Sequence, residues 1–308
     1  MEQIEFKAMG CQMLAALDSH SSKTRQRLER VPEWFEEWEQ CLSRFREDSE
    51  LSNLNRSADA PRRVSKILWD VFQAARQAER SSGGLVTPAV LDALVSAGYD
   101  RSFDTLITGP ISPVLRTAGP VLPFSTIEED DVNRSIQLPE GLRLDFGGVA
   151  KGWAADQAMK RLQVYGPALM DAGGDIAISG PKAEGQPWPV GVQDSLNSAE
   201  DLMVVGLNHG GIATSGRDYR RWNKDGITMH HIIDPRTSLP ADTDVLSATV
   251  IAPNILEAET AAKVVLISGS QAGMAWFETH PPLAGLLVLE DGQKIYTNGF
   301  ENYIWRVA

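Results

Sequence analysis

The chain has 308 residues, of which 43% are hydrophobic and 23% charged, a composition typical of a soluble globular protein that can bury a sizeable core. The formal net charge of -12 disfavours a general nucleic-acid surface, although a few local basic groups could still hold a nucleotide. Two cysteines, Cys11 and Cys41, are too few for a disulfide framework or a cysteine zinc cluster.

The start of the chain and its apolar runs predict where the protein resides. Residues 1–7 lack the apolar region of a signal peptide. Charged residues before Cys11 argue against a lipoprotein cleavage box, and no apolar run reaches the length of a membrane span. We therefore predict a cytoplasmic protein with no membrane span.

The first half of the chain is predicted to be mainly helical. An extended segment comes first, at residues 4–18, with Met9-Gly10 inside it. Apolar residues at three- and four-residue spacings then predict helices at 21–45 and 64–80, separated by a polar loop with a possible short helix at 49–54. A turn at Thr87-Pro88 precedes another short helix, and the Pro/Gly-rich stretch 98–141 predicts loops and short strands.

The second half alternates predicted strands and helices. Extended and β-branched runs predict strands at 142–146, 168–171, 188–193, 202–207, 211–214 and 245–252. Helices follow at 153–162, 255–267 and 271–279, and a hairpin at 284–289 and 294–297 ends the chain. There is no internal repeat, no linker and no strict βαβ rhythm, so we predict a single α+β domain over residues 1–308.

A strand, a glycine turn and a helix are predicted in succession around Asp145 and Lys151. Gly147-Gly148 forms the turn, where backbone N–H groups and a helix N-terminus can approach an anion closely. Lys151 lies where a lysine could contact a phosphate, and Asp145 could accept hydrogen bonds from a nucleotide. The glycine spacing fits neither the dinucleotide fingerprint nor the Walker pattern, so an ordinary turn with a solvated lysine stays open.

Several motifs in a fixed order carry a resemblance to a known family. They are Met9-Gly10, the loop at 45–55, the stretch 145–152, Gly173-Gly174-Asp175, 213–216 and 231–237. Together they resemble the FAD:protein FMN transferase family, formerly called thiamine-biosynthesis lipoproteins, over nearly the whole chain. The resemblance implies the flavin-transferase fold, an α+β domain with mixed or antiparallel sheets and flanking helices.

The resemblance also implies an activity and a set of site residues. Members of the family move FMN from FAD to a threonine or serine hydroxyl of a partner protein and release AMP, with help from Mg²⁺. It implies His231 and Lys151 as catalytic residues, with His231 suited to act as a base near neutral pH. The implied FAD contacts are Met9, Thr87, Pro88, Asp145, Lys151, Thr214, Ser215 and Ile233.

The implied metal site departs from the family pattern. Gly148 and Glu259 fall at metal-site positions, with glutamate replacing the usual aspartate. Lys263 stands one helical turn later, where the family has a threonine ligand, and its ammonium would repel a cation. Glu259 before Lys263 is also the favoured orientation for a helix ion pair. We therefore expect FAD binding to depend little on Mg²⁺.

Two other functions are compatible with these residues. Water could replace the hydroxyl acceptor, which would make the protein an FAD pyrophosphate hydrolase that gives FMN and AMP. Alternatively, the altered metal site could leave a non-catalytic flavin-binding protein.

Overall fold

The computed structural model describes residues 1–57, 59–108, 119–197 and 199–305, so the predictions for 109–118 lie outside the described residues. The helices are α1 Thr24–Leu28, α2 Val31–Leu42, α3 Glu50–Asn55, α4 Lys66–Ser81, α5 Leu91–Ser96, α6 Phe103–Thr108, α7 Ala150–Leu162, α8 Ile255–Ser268 and α9 Ser270–Glu278. A short 3₁₀ segment, Pro88–Val90, precedes α5.

The strands are short and spread over the whole chain. They are β1 Glu2–Ala8, β2 Cys11–Leu17, β3 Arg62–Arg63, β4 Glu128–Asp130, β5 Ser135–Gln137, β6 Ala168–Ala172, β7 Ile176–Ile178, β8 Trp188–Gln193, β9 Asp201–Leu207, β10 Gly210–Gly216, β11 Arg221–Lys224, β12 Ile227–His230, β13 Ile233–Asp234, β14 Leu239–Pro240, β15 Val245–Ala252, β16 Ala284–Leu289 and β17 Lys294–Tyr296. The pairings between these strands are antiparallel, so the predicted α+β class is confirmed.

The chain divides into two compact units that alternate along the sequence. The first unit contains Met1–Trp34, Lys151–Tyr219 and Asp242–Ala308, and the second contains Phe35–Ala150 and Arg220–Ala241. The assignment of residues 1–308 to one domain stays a prediction.

The first unit is built on an eight-stranded sheet in the order β1-β2-β6-β7-β10-β15-β16-β17. Helix α8 packs on β10 and β15 of this sheet. The separate β8–β9 hairpin adds inward-facing residues to one core cluster, because every second residue of β8 is buried. That alternation places Trp188, Val190 and Val192 in the core with Ile212 and Leu286.

The second unit combines helices α3 to α6 with three small sheets, ordered β3-β5-β4, β11-β12 and β13-β14. Trp222 and Ile233 join Leu94 and Tyr99 in one of its core clusters. The indole N–H of Trp222 donates to the backbone oxygen of Ala97 at 2.9 Å, so the buried ring has a hydrogen-bond partner.

Two hairpins were not predicted, and in both the turn has two central residues with positive φ. The extended segment predicted at 4–18 is two strands, β1 and β2, because Met9 (φ 49°) and Gly10 (φ 67°) form a left-handed turn between them. Asp225 (φ 52°) and Gly226 (φ 84°) do the same between β11 and β12, which the sequence interpretation missed. Positive φ at both central residues suits the twist of a two-residue hairpin, and Asp-Gly is its typical signal.

The strand predicted at 142–146 is wrong, because those residues lie outside every strand. The backbone N–H of Leu144 donates to Asn55 Oδ1 at 2.7 Å, and its carbonyl accepts from Asn55 Nδ2 at 2.9 Å. A side-chain amide therefore satisfies the backbone groups that a neighbouring strand would otherwise pair. Helix α7 also begins at Ala150, three residues earlier than predicted.

Within the described residues, no helix combines the length and the apolar character needed to cross a membrane. The cytoplasmic location stays a prediction.

Candidate active site

A glycine turn in the first unit presents two aspartates. Gly173 (φ 69°) and Gly174 (φ 93°) connect β6 to β7, and the N–H of Ala172 donates to the Asp175 carbonyl at 2.9 Å. The carboxylate of Asp171 accepts from the Gly174 N–H at 2.7 Å. Burial raises the pKa of Asp171 to about 6, although this N–H opposes the rise.

Lys151 lies in the first turn of α7, and its ammonium is held by acidic side chains. Its Nζ donates to the Asp175 carboxylate, which is buried, and lies 3.9 Å from Glu259 Oε1. Burial alone would lower the pKa of Lys151, but the charges of Asp175 and Glu259 outweigh it and raise that pKa. The lysine therefore keeps its charge. Its side chain is 19% exposed.

Glu259 projects from α8 and is almost completely buried, at 1% exposure. Its Oε1 lies 3.2 Å from Lys263 Nζ, one turn later on the helix, and its Oε2 accepts from the Gly152 N–H at 3.2 Å. Burial raises the pKa of Glu259, while Lys263 and Lys151 oppose that rise. A Cβ on Gly152 would lie 2.4 Å from Oε2, so glycine lets the α7 backbone approach this carboxylate closely.

These residues do not fit a divalent metal ion. Mg²⁺ binds oxygen ligands in near-octahedral geometry and usually relies on one or two carboxylates. Both oxygens of Glu259 already have partners, and one partner is a cation. No group of three or more His, Cys, Asp or Glu side chains suited to a metal occurs among the described residues. Gly148, the other implied metal-site residue, has no side chain to offer and lies just before α7.

The other implied FAD contacts of the first unit lie on strands or turns. Met9 occupies the left-handed turn between β1 and β2. Thr214 and Ser215 are neighbours on β10, so their side chains point to opposite faces of the sheet. Thr214 is exposed and its hydroxyl lies 2.8 Å from that of Thr249 on β15, whereas Ser215 is buried. The exposed Thr214 is thus the more accessible of the two.

Asp145 of the second unit is fixed by an arginine. Its carboxylate pairs with Arg44 Nε and accepts from the Gly147 N–H at 2.6 Å. The Arg44 guanidinium donates to the Tyr99 carbonyl at 2.8 Å and lies 4.1 Å from the Phe45 ring centroid and 4.8 Å from the Tyr99 ring centroid. Only 6% of the Arg44 side chain and 12% of the Asp145 side chain are exposed. This stacked ion pair gives Asp145 a defined orientation.

Thr87 and Pro88 lie next to Asp145 in the second unit. The Asp145 N–H donates to the Pro88 carbonyl at 2.8 Å. Thr87 caps the short 3₁₀ segment, and its hydroxyl accepts from the Ala89 N–H at 3.3 Å. A cavity of about 250 Å³ opens beside Thr87, with Phe124 and Arg236 also in its wall. The structure thus brings together three of the implied FAD contacts.

The two adjacent histidines have different environments. His230 is buried, its Nε2 lies 3.0 Å from the Ala241 carbonyl, and its Nδ1 accepts from the Ile232 N–H at 3.3 Å. Both ring nitrogens of His230 are therefore used in structural hydrogen bonds. His231 lies between β12 and β13 and is partly exposed, so it is the histidine that can meet a ligand. Ile233 packs in the cluster that contains Trp222 and Tyr99.

Two residues that hold implied contacts in place were missing from the implied set. Arg44 orients Asp145 from a position 101 residues earlier in the chain, which no local spacing reveals. Asp175 holds Lys151, and its signal was present in the Gly173-Gly174-Asp175 motif. That motif was recognised as part of the resemblance, but no role was assigned to its aspartate.

Comparison with known proteins places these residues in context. Residues 9–287 match the model of the ApbE family. A protein of Treponema pallidum named FAD:protein FMN transferase is 31% identical over 86% of this chain and 77% of its own length. A protein of Vibrio cholerae with the same name is also 31% identical, over 85% of this chain and 80% of its own.

Solved structures share the fold. The ApbE protein of Thermotoga maritima has a TM-score of 0.87 at 24% identity, with 99% of each chain covered. The flavinyl transferase ApbE of Pseudomonas stutzeri, in its apo form, has a TM-score of 0.80 at 21% identity, with 100% of this chain and 98% of that chain covered.

Proposed function

The chain belongs to the ApbE family, and from that premise we propose that it transfers FMN from FAD to a threonine or serine hydroxyl of a partner protein and releases AMP. The observation that carries the proposal is Lys151, an ammonium held by Asp175 and Glu259 in the first turn of α7. A fixed cation beside a helix N-terminus suits the phosphates of a dinucleotide.

The proposed reaction is a substitution at the FMN-side phosphorus of FAD. The acceptor oxygen forms a bond to this phosphorus, and the bond from phosphorus to the bridging oxygen breaks. FMN remains on the acceptor as a phosphodiester, AMP leaves with the bridging oxygen, and the hydroxyl proton goes to a base. The charge on the leaving phosphate requires fixed cations and hydrogen-bond donors rather than a protein nucleophile.

The residues of the first unit have binding roles in this proposal. Lys151 donates hydrogen bonds to the phosphates, because its side chain is partly exposed and the neighbouring carboxylates raise its pKa and keep it protonated. Thr214 presents a hydroxyl from the exposed face of β10, and Met9 lines the flavin site from its hairpin turn. No step is assigned to a metal ion, because the residues around Glu259 do not fit one.

The residues of the second unit supply orientation and a base. Asp145, fixed by Arg44, accepts hydrogen bonds from FAD, and Thr87, Pro88 and Ile233 line the ligand site. His231 takes the hydroxyl proton, since an imidazole has a suitable pKa near neutrality and the buried His230 already uses both ring nitrogens.

Mass spectrometry of an acceptor protein tests the proposed transfer. Purified protein is mixed with FAD and an acceptor that carries a threonine target, and the acceptor is weighed. We expect the mass gain of one FMN less one water, with an equal amount of AMP released. The same acceptor with its target Thr→Ala is the control and should gain nothing.

Variants of the two catalytic residues extend this test. Changing His231→Asn should lower the transfer rate by about 10²-fold or more, the range of a lost general base, while FAD still binds. Lys151→Met should weaken FAD binding as well. AMP release without acceptor modification would indicate a hydrolase instead, and FAD binding without AMP release would indicate a flavin-binding protein.

A further inference from the structure

The buried side chains around Glu259 form a charge-balanced cluster. Two carboxylates, Asp175 and Glu259, face two ammonium groups, Lys151 and Lys263, within the first unit. Glu259 Oε1 lies between the two lysines, 3.2 Å from Lys263 Nζ and 3.9 Å from Lys151 Nζ. Asp171, two residues before Gly173, is a nearby acid, and burial disfavours its ionised form.

The position of Lys263 follows from helix geometry and from packing. Residues four apart lie on the same face of a helix, so Lys263 Nζ reaches the Glu259 carboxylate. It also lies 3.4 Å from the Glu259 backbone oxygen, and only 14% of its side chain is exposed. These two contacts and the low exposure hold the ammonium beside the carboxylate.

A cation at this carboxylate would have to displace Lys263. A buried carboxylate needs one positive partner, and Lys263 already supplies it. A divalent ion placed within coordination distance of Glu259 would also face the Lys151 ammonium in a region of low dielectric constant, where like charges repel strongly.

We propose that the Lys263 ammonium takes the place of a divalent cation at Glu259, so that this chain binds the pyrophosphate of FAD without a metal ion. The inference rests on the proposed function, because that function makes FAD the ligand. Lys151 contacts the phosphates, and Lys263 keeps Glu259 charge-balanced, so that the Glu259 carboxylate can hold the Lys151 ammonium and the Gly152 N–H.

An FAD titration with and without metal is the first test. FAD fluorescence is followed as the wild-type protein is added, once in excess EDTA and once in excess Mg²⁺. We expect dissociation constants within about threefold of each other. An affinity that falls by about tenfold or more in EDTA would overturn the inference.

A metal titration of the FAD-free protein is the second test, and it does not depend on the proposed function. Free Mn²⁺ is measured by its electron paramagnetic resonance signal. The wild-type protein should leave the signal unchanged, whereas Lys263→Thr combined with Glu259→Asp should reduce it. The double variant should also bind FAD about tenfold more tightly in Mg²⁺ than in EDTA.

A control variant tests whether Mn²⁺ binding appears on loss of any helix lysine paired with a buried carboxylate, or only on loss of Lys263. Lys160 forms an i,i+4 ion pair with the buried Asp156 on α7, 2.7 Å apart, but is mostly exposed. Lys160→Thr should gain no Mn²⁺ binding. Circular dichroism melts establish whether each variant is folded. If the double variant does not fold, the FAD and Mn²⁺ titrations of the wild-type protein decide the inference.

The outcomes separate the inference from the proposed function. If FAD binds in neither condition, the proposed function fails, and the Mn²⁺ titration still tests the cluster. If wild-type protein binds Mn²⁺ and Glu259→Gln abolishes that binding, the inference is overturned while the transferase proposal stands.

Discussion

The contacts of the Arg44 guanidinium explain how this residue orients Asp145. Its guanidinium lies over the rings of Phe45 and Tyr99, pairs with Asp145 through Nε and donates through Nη2 to the Tyr99 carbonyl. Stacking and forked hydrogen bonds both require the planar guanidinium, which lysine lacks. Arg44 therefore orients Asp145 more strictly than a charge alone would.

We expect Arg44→Lys to weaken FAD binding by about tenfold, because the ammonium keeps the charge but loses the stacking and the second hydrogen bond. Isothermal titration with FAD measures the affinity, and a thermal melt measures stability. Arg46→Lys, at a partly exposed ion pair with Glu36, is the matched control and should leave the affinity unchanged. Unchanged affinity in Arg44→Lys would show that the orientation of Asp145 does not matter.

Asp171 makes the stability of the protein depend on pH. Its pKa in the folded chain is about 6, above the usual value of 3.8, because burial disfavours the carboxylate. The folded state thus binds a proton more tightly than the unfolded state. The resulting stabilisation is fully present below about pH 4 and is lost as the pH rises through about 6.

Asp171→Asn removes this titration while keeping an oxygen for the Gly174 N–H. The unfolding free energy of the variant minus that of wild type should rise by about 1 kcal/mol from pH 4 to pH 7.5. This value is smaller than the full pKa shift would give, because the side chain is partly exposed. Urea denaturation at several pH values measures the difference. Asp131→Asn, at an exposed position, is the control for replacing a carboxylate by an amide. If stability changes with pH in the same way in Asp171→Asn and in wild type, Asp171 does not cause the pH dependence.

At the scale of elements, α8 is positioned by a close approach to β10. A Cβ on Gly211 would lie 2.3 Å from the Ile255 Cα, so the strand and the first residue of the helix meet backbone to backbone. The helix begins there because Asn254 accepts from the Glu257 N–H at 2.9 Å. This contact sets where α8 places Glu259 and Lys263.

Gly211→Ala should therefore destabilise the protein by about 2–3 kcal/mol, because the methyl group meets backbone that cannot move without shifting the helix. Urea denaturation of the purified variant gives the value. Gly180→Ala is the control, since nothing lies within 4 Å of its Cβ position, and should change stability by less than about 0.5 kcal/mol. Equal stabilities of the two variants would show that α8 adjusts freely.

At the scale of the whole molecule, the chain enters each compact unit more than once. The first unit takes three separate segments and the second takes two. In the first unit, β2 pairs with β6, which belongs to a segment that begins over 130 residues later, so the eight-stranded sheet depends on long-range contacts. Solved structures with 24% and 21% identity share this fold, so it relies on the pattern and volume of core residues more than on their identity.

Much of the architecture follows from local pattern alone. The periodicity of apolar residues predicted α4, α8 and α9 nearly to their observed ends, and a β-branched run predicted β15. The pair Glu259–Lys263 was predictable for the same reason, since residues four apart on a helix meet. The order of motifs determined the family and, with it, the confirmed α+β class.

Only the tertiary structure decided which distant side chains meet. Nothing local links Arg44 to Asp145, or Lys151 to Asp175 and Glu259, because these pairs form through packing and burial across long stretches of chain. The strand predicted at 142–146 failed for this reason, since Asn55 took its backbone hydrogen bonds. Burial likewise distinguished His230 from His231, and it showed that the Glu259 carboxylate paired with Lys263 is almost completely enclosed.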